Sequence, residues 1–278
     1  MTQPLTIISG TALGVIRIEG DDAQSFLQGQ STPDLRKIAF GESVFGAFCN
    51  AQGRVIANGW FQSIDGGFRL VISRDLVPTL IKRLRMYVLR AKVTVSDATD
   101  HASLWVSSKA DPALDYDWII KGPMGLSLFA AQPETFPKEV LMLQGEAFGL
   151  ALIQAGIPLV TQETSERYIP HMLSMDLLGG LSFDKGCYTG QEIVTRTQFL
   201  GKVKRTLHRL ATDHSIQPEL GTPLNGIHAE EAVGEVFAWA RLPGGGATGL
   251  AVIRNDTPGM DALLVEGHGV AASPVGID

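Results

Sequence analysis

The sequence predicts an α+β fold, in which a sheet of hairpin-connected strands is layered by helices and followed by a small C-terminal β-barrel. Two observations support this. Between residues 43 and 73, three apolar segments are joined by turns that contain Gly53, Gly66 and Gly67, as in an antiparallel meander. Beyond about residue 205, short apolar segments alternate with Gly, Pro and Asn clusters, which is typical of a small all-β barrel.

The N-terminal elements can be predicted in order. "LTIISG" and "LGVIRIEG" are apolar runs between glycines, as in short strands. "DDAQSFLQGQ" predicts a short helix that Asp21 or Asp22 caps and Gly29 ends. "RDLVPTLIKRLRMYVLR", residues 74–90, is the clearest helix, because leucines recur every four residues and the arginines lie on the other side. "AKVTVSD" then returns as a strand, and a later helix is expected from 145 to 155.

Composition excludes several classes of protein. The 278 residues are 45% hydrophobic with a net charge of −6, which fits neither a disordered chain nor a general nucleic-acid coat protein. No apolar run approaches the ~20 residues that span a bilayer, and the first residues lack an export signal. We therefore expect a cytoplasmic protein without a membrane partner. No phosphate-binding loop or dinucleotide fingerprint supports ATP or NAD.

The chain has two cysteines, Cys49 and Cys187. In a reducing compartment, two cysteines so far apart in sequence are expected to be free thiols. They cannot supply the four thiolates of a usual iron–sulfur cluster, and no Cys/His spacing suits zinc, so no metal site is expected.

Basic residues are concentrated in two stretches. Residues 69–92 contain Asp75 as their only acid, and residues 196–209 contain no acid. The ordinary interpretation is that both are solvated faces of a helix and of the start of a strand. The alternative is that they flank one site for an anionic ligand, and the sequence leaves both interpretations open.

Much of "SFDKGCYTGQEIVTR" can be explained as the start of a helix. Thr189 and Glu192 have capping-box spacing, and Tyr188 and Ile193 can form a hydrophobic staple. Glu192 and Arg196 are four residues apart and can pair on one helix face. These residues need no function to explain them.

The start of a helix does not explain four residues of this segment: Lys185, Gly186, Cys187 and Gln191. Lys185 and the positive end of a helix would stabilise a thiolate at Cys187, and Gly186 would allow a close backbone approach or a positive φ angle. The free N–H groups at a helix start also suit an anion. A lone cysteine is more often buried filler, so spacing alone leaves its reactivity open.

"KGCYTGQE" matches in full the signature K-G-C-Y-x-G-Q-E, and the chain is identified by it as a member of the YgfZ-type folate-binding proteins. These are relatives of the aminomethyltransferase, or T-protein, of the glycine cleavage system. Other segments resemble the family in the same order, so that the resemblance spans nearly the whole chain. They are "FLQGQSTPDL", "AFCNAQGRVIANG", "ALIQAGIPL" and "GKVKRTLHRL".

The resemblance implies an aminomethyltransferase-like folate-binding region over residues 1–204, with a subdomain break near residue 100 as one option, and a β-barrel over 205–278. Tetrahydrofolate or a derivative would occupy a central cavity. The family acts in assembling or maintaining iron–sulfur enzymes, including radical enzymes that thiolate tRNA. Such enzymes would be the clients of this protein.

The resemblance also assigns site residues. Cys187 and Lys185 would be the catalytic pair of the signature, and three basic residues would hold the glutamate tail of the folate. The rest of the motif site is Gly186, Tyr188, Gly190, Gln191, Glu192 and Arg196. The expected folate-binding residues are Arg83, Arg85 and Lys202.

The chain lacks acidic residues that the true aminomethyltransferases have in two segments. Their hairpin reads roughly G-G-x-x-D-D, whereas this chain has "GRVIAN", with Ala57 and Asn58 in place of the acids. Their G-Y-T-G-E-x-G segment is missing from residues 118–135. We therefore expect a folate-binding accessory factor. The alternatives are a tetrahydrofolate-dependent aminomethyltransferase or demethylase and, ranked last, a tRNA-binding module.

Overall fold

The structure is a computed structural model that describes residues 6–107, 114–137, 140–226 and 231–275. Its strands form two five-stranded sheets and one closed barrel. The strands are β1 Thr6–Ser9, β2 Leu13–Glu19, β3 Ser43–Cys49, β4 Val55–Ile64, β5 Gly67–Ser73, β6 Thr94–Asp97, β7 Leu104–Ser107, β8 Trp118–Lys121, β9 Ser127–Ala130, β10 Leu141–Leu143, β11 Arg205–Thr212, β12 Pro223–Gly226, β13 Ala232–Arg241, β14 Ala247–Arg254, β15 Leu263–Val265 and β16 His268–Pro274.

Four α-helices accompany the sheets in the described part of the chain. They are α1 Ala23–Gln28, α2 Val77–Tyr87, α3 Ala147–Ala155 and α4 Gln191–Phe199. In the described ranges, no helix is long and apolar enough to cross a membrane.

The first sheet has the order β3-β4-β5-β2-β6, with all neighbours antiparallel. β3, β4 and β5 form the predicted meander. α1 contacts β5, and α2 contacts β2 and β6. α2 buries Leu80 and Leu84 as its spacing predicts, but it starts later than residue 74. Pro78 lies in its first turn, where a missing N–H costs nothing, and Arg74–Leu76 forms a separate 3₁₀ turn.

The second sheet has the order β10-β1-β7-β9-β8. β1 pairs in parallel with β10 and antiparallel with β7. Apart from β1, all its strands come from residues 104–143. β1 therefore belongs to the second sheet and β2 to the first, so the short segment between these strands connects the two sheets.

The barrel closes in the order β11-β14-β13-β12-β15-β16. It is fastened to the rest of the molecule by Arg209 on β11, whose guanidinium donates to the carbonyls of Ile153 (3.4 Å) and Gln154 (2.9 Å). These carbonyls belong to the last turn of α3, and Gly156 caps this helix in the left-handed conformation (φ +66°). The predicted α+β fold with a C-terminal barrel is confirmed.

Candidate functional site

The signature segment, residues 185–192, leads into α4. The helix begins at Gln191, and its N-cap is Gly190, with φ +85° and no side-chain capping bond. The predicted capping box is therefore wrong, because the chain reverses at Gly190 and Thr189 lies outside the cap position. No ion pair joins Glu192 to Arg196 within the described ranges, and both side chains are exposed.

Gly190 packs against the turn between β3 and β4. A Cβ at this position would lie 2.4 Å from the carbonyl oxygen of Asn50 and 3.0 Å from the Cβ of Cys49. In the same contact, a Cβ at Gly53 (φ +70°) would lie 2.7 Å from the Cβ of Ile193. The hairpin turn and the start of α4 thus interlock through two glycines, each in a conformation that other residues rarely adopt.

Gly186 does not have the role that the sequence predicts for it. A Cβ on Gly186 would meet no atom within 4 Å, and its φ angle is not positive. The prediction of a close approach or a positive φ at Gly186 is wrong. Both properties belong to Gly190, four residues further on.

Lys185 fastens the signature segment to the loop after α1. Its buried ammonium donates to the carbonyls of Ser31 and Pro33, each at 2.7 Å, and lies 5.1 Å from the ring centroid of Tyr188. Burial lowers the pKa of Lys185 from 10.5 to about 8, although the charge of Asp34 opposes the shift. Its charge is thus directed at two carbonyls rather than free to act on Cys187.

The loop itself, residues 29–34, is held between two other segments. The Thr32 hydroxyl donates to the carbonyl of Gly180 at 2.6 Å and accepts from the backbone N–H of Ala47 at 2.9 Å. The Arg36 guanidinium holds the pKa of Asp34 well below its usual range. Three segments that resemble the family therefore meet here: the loop after α1, the β3–β4 hairpin and the signature segment.

Both cysteines are free thiols, as predicted, but only one is accessible. Cys187 is exposed, whereas Cys49, at the end of β3, is buried. Burial raises the pKa of Cys49 to about 12, and the charge of Arg83 only partly offsets this. Cys187 therefore presents the thiol available to a partner.

Tyr188 brings a buried hydroxyl to the site. Within the described ranges, neither its Oη nor the Nε1 of Trp60 has a hydrogen-bond partner. An unpaired buried polar atom costs about 1–3 kcal/mol. Burial also raises the pKa of Tyr188, so the phenol keeps its proton. The Tyr188 hydroxyl suits a ligand that carries hydrogen-bonding groups. The Trp60 nitrogen lies beside Gly122, at the end of β8, and no sequence pattern marks it.

Asn58 occupies the position of the transferases' acids, and its side chain is fully buried. Its Nδ2 donates to the carbonyl of Pro158 at 2.6 Å, and its Oδ1 accepts from the N–H of Val160 at 2.8 Å. The amide therefore fastens the segment after α3 and offers no free carboxylate.

The three basic residues expected to bind folate have different neighbours. The Arg83 guanidinium donates to the carbonyl of Cys49 at 3.3 Å, and that of Arg85 donates to the carbonyl of Val95 at 2.6 Å. Lys202 instead lines a cavity to which neither arginine contributes. The structure therefore places Arg83 beside the hairpin of the signature site and Lys202 at the start of the barrel.

The sequence as a whole is similar to curated proteins that share one name. No protein-family model matches the chain. It is 30% identical over 283 residues to the tRNA-modifying protein YgfZ of Klebsiella pneumoniae (strain 342), covering 91% of this chain and 86% of the relative. It is 32% identical over 282 residues to the protein of the same name from Enterobacter sp. (strain 638), with the same shares covered.

A solved structure shares the fold. The glycine cleavage system aminomethyltransferase T from Bartonella henselae matches with a TM-score of 0.74 over 99% of this chain and 86% of that chain, at 13% identity. The resemblance drawn from the signature is confirmed. The chain belongs to the YgfZ family and has the aminomethyltransferase fold.

Proposed function

We propose that this protein binds a folate and supports tRNA modification by helping to assemble or maintain iron–sulfur enzymes, including the radical enzymes that thiolate tRNA. The single observation that carries the proposal is the signature segment of the YgfZ family, which holds the exposed Cys187 where this segment meets the loop after α1 and the β3–β4 hairpin. This function places the protein in the cytoplasm, where tRNA is modified.

Tetrahydrofolate or a derivative is the proposed cofactor, and the fold of the aminomethyltransferases supports it. The pterin ring carries several N–H groups, ring nitrogens and a carbonyl, so it can pair with the Tyr188 hydroxyl. This hydroxyl is buried without a partner in the described part of the chain. We assign the glutamate tail to Arg83. Arg85 bonds to β6, at the opposite edge of the first sheet from the hairpin, and we assign Lys202 to a different ligand below.

Cys187 is proposed as the reactive thiol, and Lys185 as the residue that positions it. Lys185 holds the signature segment through Ser31 and Pro33, so the backbone beside Cys187 is fixed. Asn58 uses both ends of its amide within the protein, which speaks against transferase chemistry at that position. We therefore favour an accessory factor over a one-carbon enzyme.

Titration with tetrahydrofolate tests the folate proposal, with Tyr188→Phe as the variant. In the free protein, this change removes an unpaired buried hydroxyl, so the free energy of unfolding should stay the same or rise. If the hydroxyl pairs with the ligand, the affinity should fall about tenfold, which corresponds to about 1.4 kcal/mol.

Tyr168→Phe is the matched control. The Tyr168 hydroxyl already donates to Glu235 Oε1 at 2.6 Å, so this variant should lose stability and keep its affinity. The absence of saturable binding to the unmodified protein would refute the folate proposal. Equal affinities for the unmodified protein and Tyr188→Phe would refute the role of Tyr188.

A further inference from the structure

A cavity of ≈ 570 Å³ lies where the chain passes from α4 into the barrel. Of the described residues, four cationic side chains and one carboxylate line it, in a chain whose net charge is −6. The lining residues are Lys202, Val203, Lys204, Arg205, Arg254, Asn255 and Asp256.

The backbone of this cavity is fixed by Asn255. Its N–H donates to the carbonyl of Lys204 at 2.9 Å, and its Nδ2 donates to the carbonyl of Val203 at 2.7 Å. Its Oδ1 accepts from the Thr206 hydroxyl at 2.6 Å. The segment that carries the lysines is therefore anchored to the end of β14, so binding an anion would order little further backbone.

The charges of the cavity are unbalanced. Arg205 and Arg254 are direct partners in the β11–β14 ladder, and like charges in opposite positions destabilise a strand pair. Asp256 pairs with Arg254 at 3.1 Å. Within the described ranges, Lys202, Lys204 and Arg205 have no carboxylate within ion-pair distance.

We propose that this cavity, which we call the barrel cleft, binds the phosphate backbone of RNA. Three unpaired cations suit adjacent phosphates, which Lys meets as a point charge and Arg as a planar fork. Among the described residues, the lining contains no aromatic side chain on which a base could stack, so the cleft would contact phosphates without reading sequence. This goes beyond the proposed function, in which tRNA is the substrate of the client enzymes and need not touch this protein.

Fluorescence anisotropy with a fluorescein-labelled RNA hairpin tests the proposal. The double variant Lys202→Glu/Lys204→Glu should bind at least about tenfold more weakly, and the slope of log K against log salt should fall by about 1 to 2, since each lost phosphate contact removes ~0.7–0.9. Both lysines are exposed, so the fold should persist. A second variant, Lys202→Gln/Lys204→Gln, should weaken binding in the same direction.

Lys82→Glu/Lys121→Glu is the matched control, because it changes the net charge equally at exposed lysines outside the cleft. It should change the affinity by less than about threefold, because exposed charges more than a Debye length from the bound RNA are largely screened. An equal loss in this control would overturn the proposal, since binding would then follow net charge or the α2 stretch. No RNA binding by the unmodified protein would overturn it as well.

Two competitors decide what class of anion the barrel cleft takes. Inorganic phosphate at the same concentration of phosphate groups should displace the hairpin only weakly; full displacement would show a small-anion site and overturn the proposal. Triglutamyl tetrahydrofolate should not displace it; if it does, the cleft belongs to the folate tail. The lysine variants should bind tetrahydrofolate with the affinity of the unmodified protein. The RNA proposal and the folate proposal can then be tested independently of each other.

Discussion

Gly190 lies so close to Asn50 that a Cβ on the glycine would stand 2.4 Å from the Asn50 carbonyl oxygen. This contact joins the start of α4 to the turn between β3 and β4. The signature segment is also held at its other end, where Lys185 donates to Ser31 and Pro33. Cys187 lies between these two attachments and is exposed.

Gly190→Ala should destabilise the protein strongly. Alanine at φ +85° is strained, and its Cβ would collide with backbone rather than with a side chain that can move. We expect a loss of about 2–4 kcal/mol in the free energy of unfolding, measured with urea. Gly186→Ala is the matched control and should be nearly neutral, because open space surrounds that position. Equal losses in the two variants would contradict the interlocked turn.

Lys185 should make the stability of the unmodified protein rise with pH, and Lys185→Met should remove this contribution. The pKa of Lys185 is about 8 in the folded protein against 10.5 ordinarily. Between these values the unfolded chain holds the proton that the folded chain has released, so raising the pH favours folding. The neutral amine can still donate to both carbonyls.

The measurement for Lys185 is the free energy of unfolding from about pH 7 to about pH 10, for the unmodified protein and for Lys185→Met. The stability of the unmodified protein, relative to the variant, should increase over this interval. A difference that stays constant or decreases would show that the amine is not desolvated in the fold.

Asn58→Asp should not restore a transferase acid but should weaken the fold. The substitution replaces the N–H that donates to the carbonyl of Pro158 with a buried carboxylate oxygen. We expect a loss of about 3 kcal/mol near neutral pH, which becomes smaller toward acid pH as the carboxyl gains a proton and can donate again. Asn225→Asp, at an exposed position, should change stability by less than about 0.5 kcal/mol. A stable Asn58→Asp protein with transferase activity would contradict this interpretation.

Thiol labelling should distinguish the two cysteines. Iodoacetamide should modify the exposed Cys187 in the folded protein and leave Cys49 unmodified, because Cys49 is buried and its pKa is raised to about 12. Mass spectrometry should show one adduct per folded chain and two after denaturation. Cys187→Ser should abolish the adduct of the folded protein. Rapid labelling of Cys49 in that variant would show that the hairpin opens.

The fold could be predicted largely from local patterns, whereas the site could not. The turns at Gly53 and Gly66 and the leucine spacing of α2 are local signals, and they predicted the meander and the helix. The close approach and the positive φ expected at Gly186 are found at Gly190, because α4 packs against the β3–β4 hairpin. This contact joins segments that are far apart in sequence. The same holds for the burial of Lys185 and for the unpaired hydroxyl of Tyr188, which local spacing does not indicate.

The central claim is that function depends on the exposed thiol of Cys187. The most direct measurement is the amount of thiolated nucleoside in tRNA from a bacterial strain that lacks its own YgfZ protein and carries this one. At equal protein levels, the unmodified protein and Cys49→Ala should restore thiolation, and Cys187→Ala should not. Full restoration by Cys187→Ala would contradict the claim.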